Sequence, residues 1–391
     1  MPAERIAMSA AAAGRVLAAD VYAEEDVPPF TRSSVDGFAV IADDVRGATA
    51  AAPVRLRVAG EVLMGGDALA QLRRGEAQRV PTGGSLPPSA TGVVKKEDSR
   101  DLGGAVEVLD GDGSEDHVTL RGADVKRGDA LRRRGDVLTA ASIGLLSGSG
   151  VAQLPVYVTP SIGVLVTGDE IVSPGAPMKP GEVRDINSLS IAAALRAMGF
   201  APRQYPRVPD RRDAFDQAFR QALDDCDGIV ISGGSSVGER DYTPAVVAAA
   251  GSPGVIVHGV RAKPGRPTLL GIVGTTPVIG LAGNPVSALV MLEMLGRPVL
   301  LKLYEKRDER LPLSARLSED VDVDPALEHI VPVSLSRVDD GLAATPLLGT
   351  SAQMHILGFA DALIRVAEGQ GRLAAGTWID ALPLSRNTDM R

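Results

Sequence analysis

Between residues 160 and 296, short wholly apolar runs alternate with stretches of helical spacing. SIGVLV (161–166), GIVI (228–231) and PVIGL (277–281) read as strands apolar on both faces, and further strands are predicted at 255–258 and 268–273. Ile191, Leu195 and Met198 fall on one face of a helix that Ser190 can cap and Gly199 can end. Phe215, Phe219 and Leu223 mark a second helix over 211–224. AGNPVSALVMLEMLG predicts a third, with Asn284 at the N-cap, Pro285 at N1 and Gly296 just past its end. This alternation predicts a mostly parallel α/β domain.

The flanks have another texture. Residues 5–19 read as a short Ala-rich helix, and TRSSVDGFAV as a turn and a strand. Short alternating runs with Gly breaks fill 53–80 and 92–120, and the acidic stretch 98–116 reads as an exposed hairpin or loop. The tail, 310–391, returns to short strands. The expectation is an α/β centre flanked by β-rich modules.

Composition narrows the function classes. A chain of 391 residues exceeds what one core supports, so two or more domains are expected. Aromatics make up 3%, which argues against a stacking surface for single-stranded nucleic acid. The net charge is −8, and the basic cluster at 127–134 has acidic neighbours, so it reads as solvated surface rather than a duplex footprint. The one cysteine, Cys226, rules out an internal disulfide and reads as a half-buried spectator. The four His show no zinc spacing. Residues 137–168 are free of charge but broken by Ser, Gly and Pro, so they read as loop and strands rather than a membrane span. The N-terminus lacks a signal-peptide pattern. A cytoplasmic location is expected, with neither nucleic acid nor membrane as a partner.

Three loops follow three of the strands: TGDE (167–170), SGGSSVGERD (232–241) and GLAGNPVSA (280–288). In open α/β sheets ligands bind beyond the carboxyl ends of strands, so adjacent strands would pool these loops into one pocket. Gly233 and Gly234 permit close backbone approach, and Ser232, Ser235 and Ser236 add hydroxyls. The helix opened by Asn284–Pro285 would leave N–H groups near Ser287 and Ala288 as an anion seat. Lys263 and Arg266, in KPGRP, present two cations on a stiff turn suited to an oxyanion. Asp169, Glu170, Asp185 and Asp241 supply carboxylates of the kind Mg²⁺ takes. Each feature has a plain alternative. SGG can be only a turn, Asn-Pro only a cap, and each carboxylate only solvated. Asp36, in SSVDG, is either an Asx-turn residue or one that reaches a partner's pocket.

Taken together and in order, PPFTRSSVDGFAV, RVPTGG with VVKKED, LRGADVKRG, VLVTGDEIV, RDINS, IVISGGSSVGERDY, KPGRP, GLAGNPVSA and LLGTSAQMHILGFADALI resemble the molybdopterin molybdenumtransferase family, which includes the C-terminal domain of gephyrin. SGGSSVG alone is shared with molybdopterin adenylyltransferases. SSVDGFAV and the flanking β modules are not.

The resemblance implies insertion of molybdenum from molybdate into adenylylated molybdopterin, with AMP released and Mg²⁺ assisting. It implies elongated homodimers of four-domain chains, with the active site across the subunit interface. A molybdopterin adenylyltransferase and apo-molybdoenzymes would be partners. The domains would be a linking unit (1–37 with 128–155), an inserted β module (38–127), the α/β molybdopterin-binding domain (156–304) and a C-terminal small β barrel (305–391).

Matched by motif, the implied catalytic set is Asp36, Thr82, Asp124, Glu170, Asp241, Lys263 and Arg266. The binding set is Thr167, Asp185, Asn187, Gly233, Gly234, Ser235, Ser236, Asn284, Pro285, Ser287 and Ser351, and the metal set is Asp169, Glu170 and Asp241. Asp36 and Thr82 would approach across the dimer, and Lys263 and Arg266 would neutralise molybdate or the leaving phosphate. The chain departs from the family pattern in starting about one helix late, in Arg266 where Lys is usual, in Ala282 where Pro is usual, and in Glu328–His329 where Gly-Arg is usual. The competing functions are an adenylyltransferase and a non-catalytic gephyrin-like scaffold.

Overall fold

The apolar runs of the central segment become neighbouring strands. The computed structural model describes residues 1–66, 71–112, 114–233, 242–308 and 310–384. Strands of the central sheet are β1 (Ser161–Val166), β2 (Ala201–Gln204), β3 (Gly228–Ser232), β4 (Pro253–His258), β5 (Leu269–Val273) and β6 (Thr276–Leu281). Their order is 2-1-3-6-5-4. The first four in that order run parallel, and β5 and β4 complete the sheet antiparallel.

Both faces are covered, as the unbroken apolar runs require. Ile162, Val164 and Val166 pack on one face with Ile191, Leu195 and Met198 of helix α1 (Asn187–Met198). Leu165, Ile229 and Ile231 pack on the other with Phe215 and Phe219 of α2 (Arg212–Asp225). Helix α3 (Thr243–Ala250) joins the second face, and α4 (Pro285–Met291) the first.

Several expected boundaries moved. Helix α1 starts at Asn187 rather than after Ser190. Asp185 caps it by accepting from Ser188 N at 3.0 Å, with Ser188 Oγ donating to its other oxygen. Gly199 does end it, at φ 94°. Gly296 does not end the last helix. The chain passes through a wide turn at Leu292–Gly296 and resumes a helix over Arg297–Leu301. An added Cβ on Gly296 would lie 3.2 Å from Ile279, so this glycine serves close packing instead.

The first residues form a strand, Ala3–Ala7, paired with Gln153–Tyr157, followed by one 3₁₀ turn. No helix spans 5–19, because Gly14 takes φ 82° and the burial of Val16 and Leu17 comes from bridges to Val137 and Val156. Within 137–168 there is a helix, Ala140–Gly148, whose N-cap Thr139 accepts from Ser142 N. Among the described residues, no helix is long and apolar enough to cross a membrane.

The strand Gly37–Val40 lies between Glu76–Val80 and Gly92–Lys95 in a second six-stranded sheet. The 98–116 stretch contains a hairpin, one of the two forms expected, but it is not wholly exposed. Ser99–Asp101 and Ala105–Val108 extend that sheet and bury Val106 and Val108. In the tail, Glu328–Val338, Gly341–Pro346, Leu313–Leu317, Trp378–Pro383 and Ala362–Val366 close into a five-stranded barrel, because the first and last of these also pair. Ala262–Lys263 leaves the α/β unit to pair with Glu328–His329 at the barrel edge.

Candidate active site

Register decides where the loops meet. Val166 pairs with Ser232, and Ser232 with Leu281, so the loops after β1, β3 and β6 start side by side at one edge of the sheet. They line a cavity of about 630 Å³. Thr167, Glu170, Asp185, Asn187, Gly233, Asn284 and Pro285 of the implied site are on its wall. Gly234, Ser235, Ser236 and Asp241 lie outside the described residues.

Asn187 ties the loops together. Its Nδ2 donates to Ser232 Oγ and to the Gly283 carbonyl, both at 2.8 Å. Ser232 Oγ in turn donates to the Ala282 carbonyl at 3.2 Å. A carbonyl can only accept, so the amide orientation is determined and Asn187 Oδ1 is left as an acceptor. That oxygen and Thr167 Oγ1 are buried with no partner among the described residues. Buried polar atoms are normally satisfied, so two orphans on one wall mark a place where a ligand or water completes the bonding.

Asn187→Asp keeps the shape but sets a carboxylate oxygen against the Gly283 carbonyl. The expected loss is about 1–3 kcal/mol at neutral pH, read by urea denaturation. The introduced carboxyl gains a donor when protonated, so its folded pKa is raised and the deficit shrinks as pH falls through it. Unchanged stability at neutral pH would overturn this account of the tie.

Gly233 makes the closest approach. It has φ 97°, and an added Cβ would sit 2.6 Å from the Thr167 carbonyl oxygen and 2.7 Å from Thr167 Oγ1. From the barrel, Ala352 reaches the wall, and Asn284 Nδ2 donates to Ser351 Oγ at 3.1 Å. Val286 N donates to the Ser351 carbonyl at 3.1 Å. Asn284 thus occupies the cap position without capping, and the anion seat expected there is partly taken by the barrel.

Four implied residues of the α/β unit are not on the wall. Asp169 is turned to the neighbouring turn, where its N–H and that of Asp210 each donate to the other's carboxylate at 3.4 Å and Arg207 lies 3.8 Å away. Lys263 and Arg266 are exposed, and of the KPGRP turn only Pro267 lines the cavity. The turn is held instead by Gly265, where a Cβ would meet Met291, and by Thr268 Oγ1 donating to the Gly265 carbonyl at 2.6 Å. Ser287 is buried behind the wall.

Family descriptions match three successive segments: the MoeA N-terminal region (domain I and II) over residues 1–150, a probable molybdopterin binding domain over 163–302, and the MoeA C-terminal region (domain IV) over 314–384. Molybdopterin molybdenumtransferase 2 of Mycobacterium tuberculosis is 36% identical over 74% of this chain and 72% of its own. The molybdopterin molybdenumtransferase of a Nostoc species is 32% identical over 84% of this chain and 76% of its own. The chain belongs to the MoeA family.

Two solved MoeA structures from Pyrococcus horikoshii superpose with TM-scores of 0.85 and 0.83, at 32% and 25% identity. Each covers 98% of this chain, which in turn covers 95% and 94% of theirs. Within this MoeA chain, Asp36, Thr82 and Asp124 do not line the cavity formed by their own α/β unit. Asp124 is exposed, with its N–H donating to the Val27 carbonyl at 2.9 Å. Asp36 and Thr82 form a local unit. Thr82 N and Oγ1 donate to Asp36 Oδ1 at 2.6 and 2.9 Å.

The Thr82 backbone N–H, and then its hydroxyl, hold the Asp36 carboxyl below its ordinary value. Any stabilisation from this pair is present above the unfolded pKa and lost as pH falls through the depressed one. In Thr82→Val the larger cause, the backbone bond, remains. The Asp36 pKa, followed by NMR titration, should rise but stay below its ordinary value. An unchanged pKa would show that the hydroxyl contributes nothing.

Sequence reasoning missed Arg184, Asp210 and Ala352 on the wall. Arg184 sits beside Asp185 in RDINS and was within reach. Asp210, in PDRRD, reads as solvated surface and carries no signal. Among the described residues, no group of three or more His, Cys, Asp or Glu is placed to hold a metal ion.

Proposed function

We propose that the chain is a molybdopterin molybdenumtransferase that inserts molybdenum from molybdate into adenylylated molybdopterin and releases AMP. Membership of the MoeA family supports this, as do relatives named for that activity. The observation that carries the reading is the strand-end cavity, whose wall combines orphaned polar atoms, a glycine at close approach and charges of both signs.

In this reading Gly233 lets the loop after β3 lie against Thr167, which sets the shape of the wall that substrate meets. Asn187 Oδ1 and Thr167 Oγ1 would accept from N–H groups of the bound ring system. Rate comes from preorganised polar groups rather than from a covalent nucleophile. Glu170, Asp185 and Asp210 bring carboxylates to the wall, but no three acidic groups of the described residues are placed to hold a divalent cation by themselves. Such a cation would share its coordination with phosphate oxygens of the substrate. Mg²⁺ when bound would neutralise charge developing on the leaving phosphate. Asp241 would complete the acidic set. Lys263 and Arg266 would act at the mouth, and Asp36, Thr82 and Asp124 would be presented by a second subunit of a homodimer. A cytoplasmic setting, with a molybdopterin adenylyltransferase upstream and apo-molybdoenzymes downstream, completes the proposal.

The test is reconstitution with adenylylated molybdopterin, molybdate and Mg²⁺, reading AMP release and activation of an apo-molybdoenzyme. Failure to release AMP overturns the reading. Consumption of MgATP with free molybdopterin would identify an adenylyltransferase instead. A rate indifferent to Mg²⁺ would remove the metal.

A further inference from the structure

An adenylylated substrate brings phosphate charge to a wall whose described charged side chains are Glu170, Asp185 and Asp210 against one cation, Arg184. The other expected sources of positive potential are engaged or off the wall. The start of α1 is already capped by the Asp185 carboxylate. At the start of α4, the Asn284 side chain and the Val286 N–H are bound to Ser351. Lys263 and Arg266 are off the wall. Arg207 donates Nη1 to the Gly168 carbonyl at 2.8 Å and faces Asp169.

Arg184 is built to hold its position. Its backbone lies in the two-residue strand Val183–Arg184, paired with Ile171–Val172, and the next residue caps α1. Its Nη1 donates to the carbonyls of Ser173 and Ala176. No partner is recorded for Nε or Nη2 among the described residues. A guanidinium with one corner anchored and the rest free loses little entropy on binding an oxyanion.

We propose that Arg184 is a phosphate-binding residue of this cavity, its free N–H groups taking an oxygen of the adenylyl phosphate. The inference rests on the function proposed above and assigns the site's charge recognition to a residue outside the KPGRP turn.

Titration calorimetry with AMP and with adenosine separates phosphate recognition from general cavity integrity. The full-length wild type should prefer AMP. Arg184→Met should lose roughly 10–100-fold in AMP affinity, with adenosine affinity unchanged. Arg184→Lys should keep part of the preference, because it keeps the charge. The proposal is overturned if the wild type shows no AMP preference, if Arg184→Met retains it, or if that variant loses AMP and adenosine equally. A wild type that prefers AMP yet releases none from adenylylated molybdopterin would sink the proposed reaction and leave the phosphate site standing.

Discussion

Gly233→Ala should reduce the rate of AMP release by about 100-fold or more, as expected when reacting groups are displaced by roughly 1 Å. Two effects combine. A left-handed φ of 97° costs a non-glycine residue about 1–2 kcal/mol. The new methyl must also move the Thr167 carbonyl, which would lie 2.6 Å away. That carbonyl belongs to the loop after β1, whose Thr167 N donates to the Ser232 carbonyl at 3.0 Å. Relief of the contact therefore separates two of the three loops that form the wall. Steady-state AMP release measures it, with circular dichroism confirming that the sheet persists. A folded variant with wild-type turnover would show that the approach of these loops is irrelevant to the chemistry.

The second large effect is on stability. Arg310→Ala should cost about 3 kcal/mol, the lower end for a broken buried charge pair, because Glu293 keeps only its longer contact with Arg297. The Arg310 side chain is 3% exposed and Glu293 9%, with Nη1 and Oε2 separated by 2.9 Å. Arg297 adds a contact of 3.3 Å to the same oxygen, and Asp308 binds Arg310 at 2.8 Å. Burial pushes the Glu293 carboxyl up, while the two guanidiniums pull against that.

Arg310 Nη1 also donates to the Pro383 carbonyl at 3.1 Å, so the network joins the helix after the cavity to the last barrel strand. Trp378, the one tryptophan of the chain, lies in that same strand. Its fluorescence during urea unfolding therefore reads the barrel directly. Replacing both partners, Arg310→Met with Glu293→Leu, should recover much of the loss, since apolar pairs often substitute for buried ion pairs. A single variant as stable as wild type, or a double variant no better than the single, would refute the assignment.

How much of this was legible beforehand differs by element. The central strands were readable because each buries both faces, and a run such as SIGVLV has few other stable uses. Helix α2 was readable from Phe215 and Phe219 four apart. The start of α1 was not, because Asp185 caps from ahead of Ser190, and several polar residues there could do so. The Ala-rich start misled, because alanine has high helix propensity but little to bury, and pairing with 153–157 decided its form. Gly296 misled in the same way, since its role is close packing of its helical segment on Ile279 of β6.

The site divides along the same line. Local chemistry named the strand-end loops, with Thr167 and Gly233 among them, and the family resemblance added Asn187. The sequence by itself determined the alternation of strand and helix, the glycines at the turns and the motifs that mark the family. Only the tertiary structure decided which charges face the cavity. It turned Asp169 toward Asp210, left Lys263 and Arg266 exposed at the barrel junction, brought Ser351 and Ala352 from the barrel to the start of α4, and put Arg184 on the wall. The physical reason is range. Backbone preference and apolar periodicity act between residues a few positions apart. The direction of a charged side chain is set by partners such as Asp210, Ser173 or Ser351, which become its neighbours only after the sheet and barrel have packed.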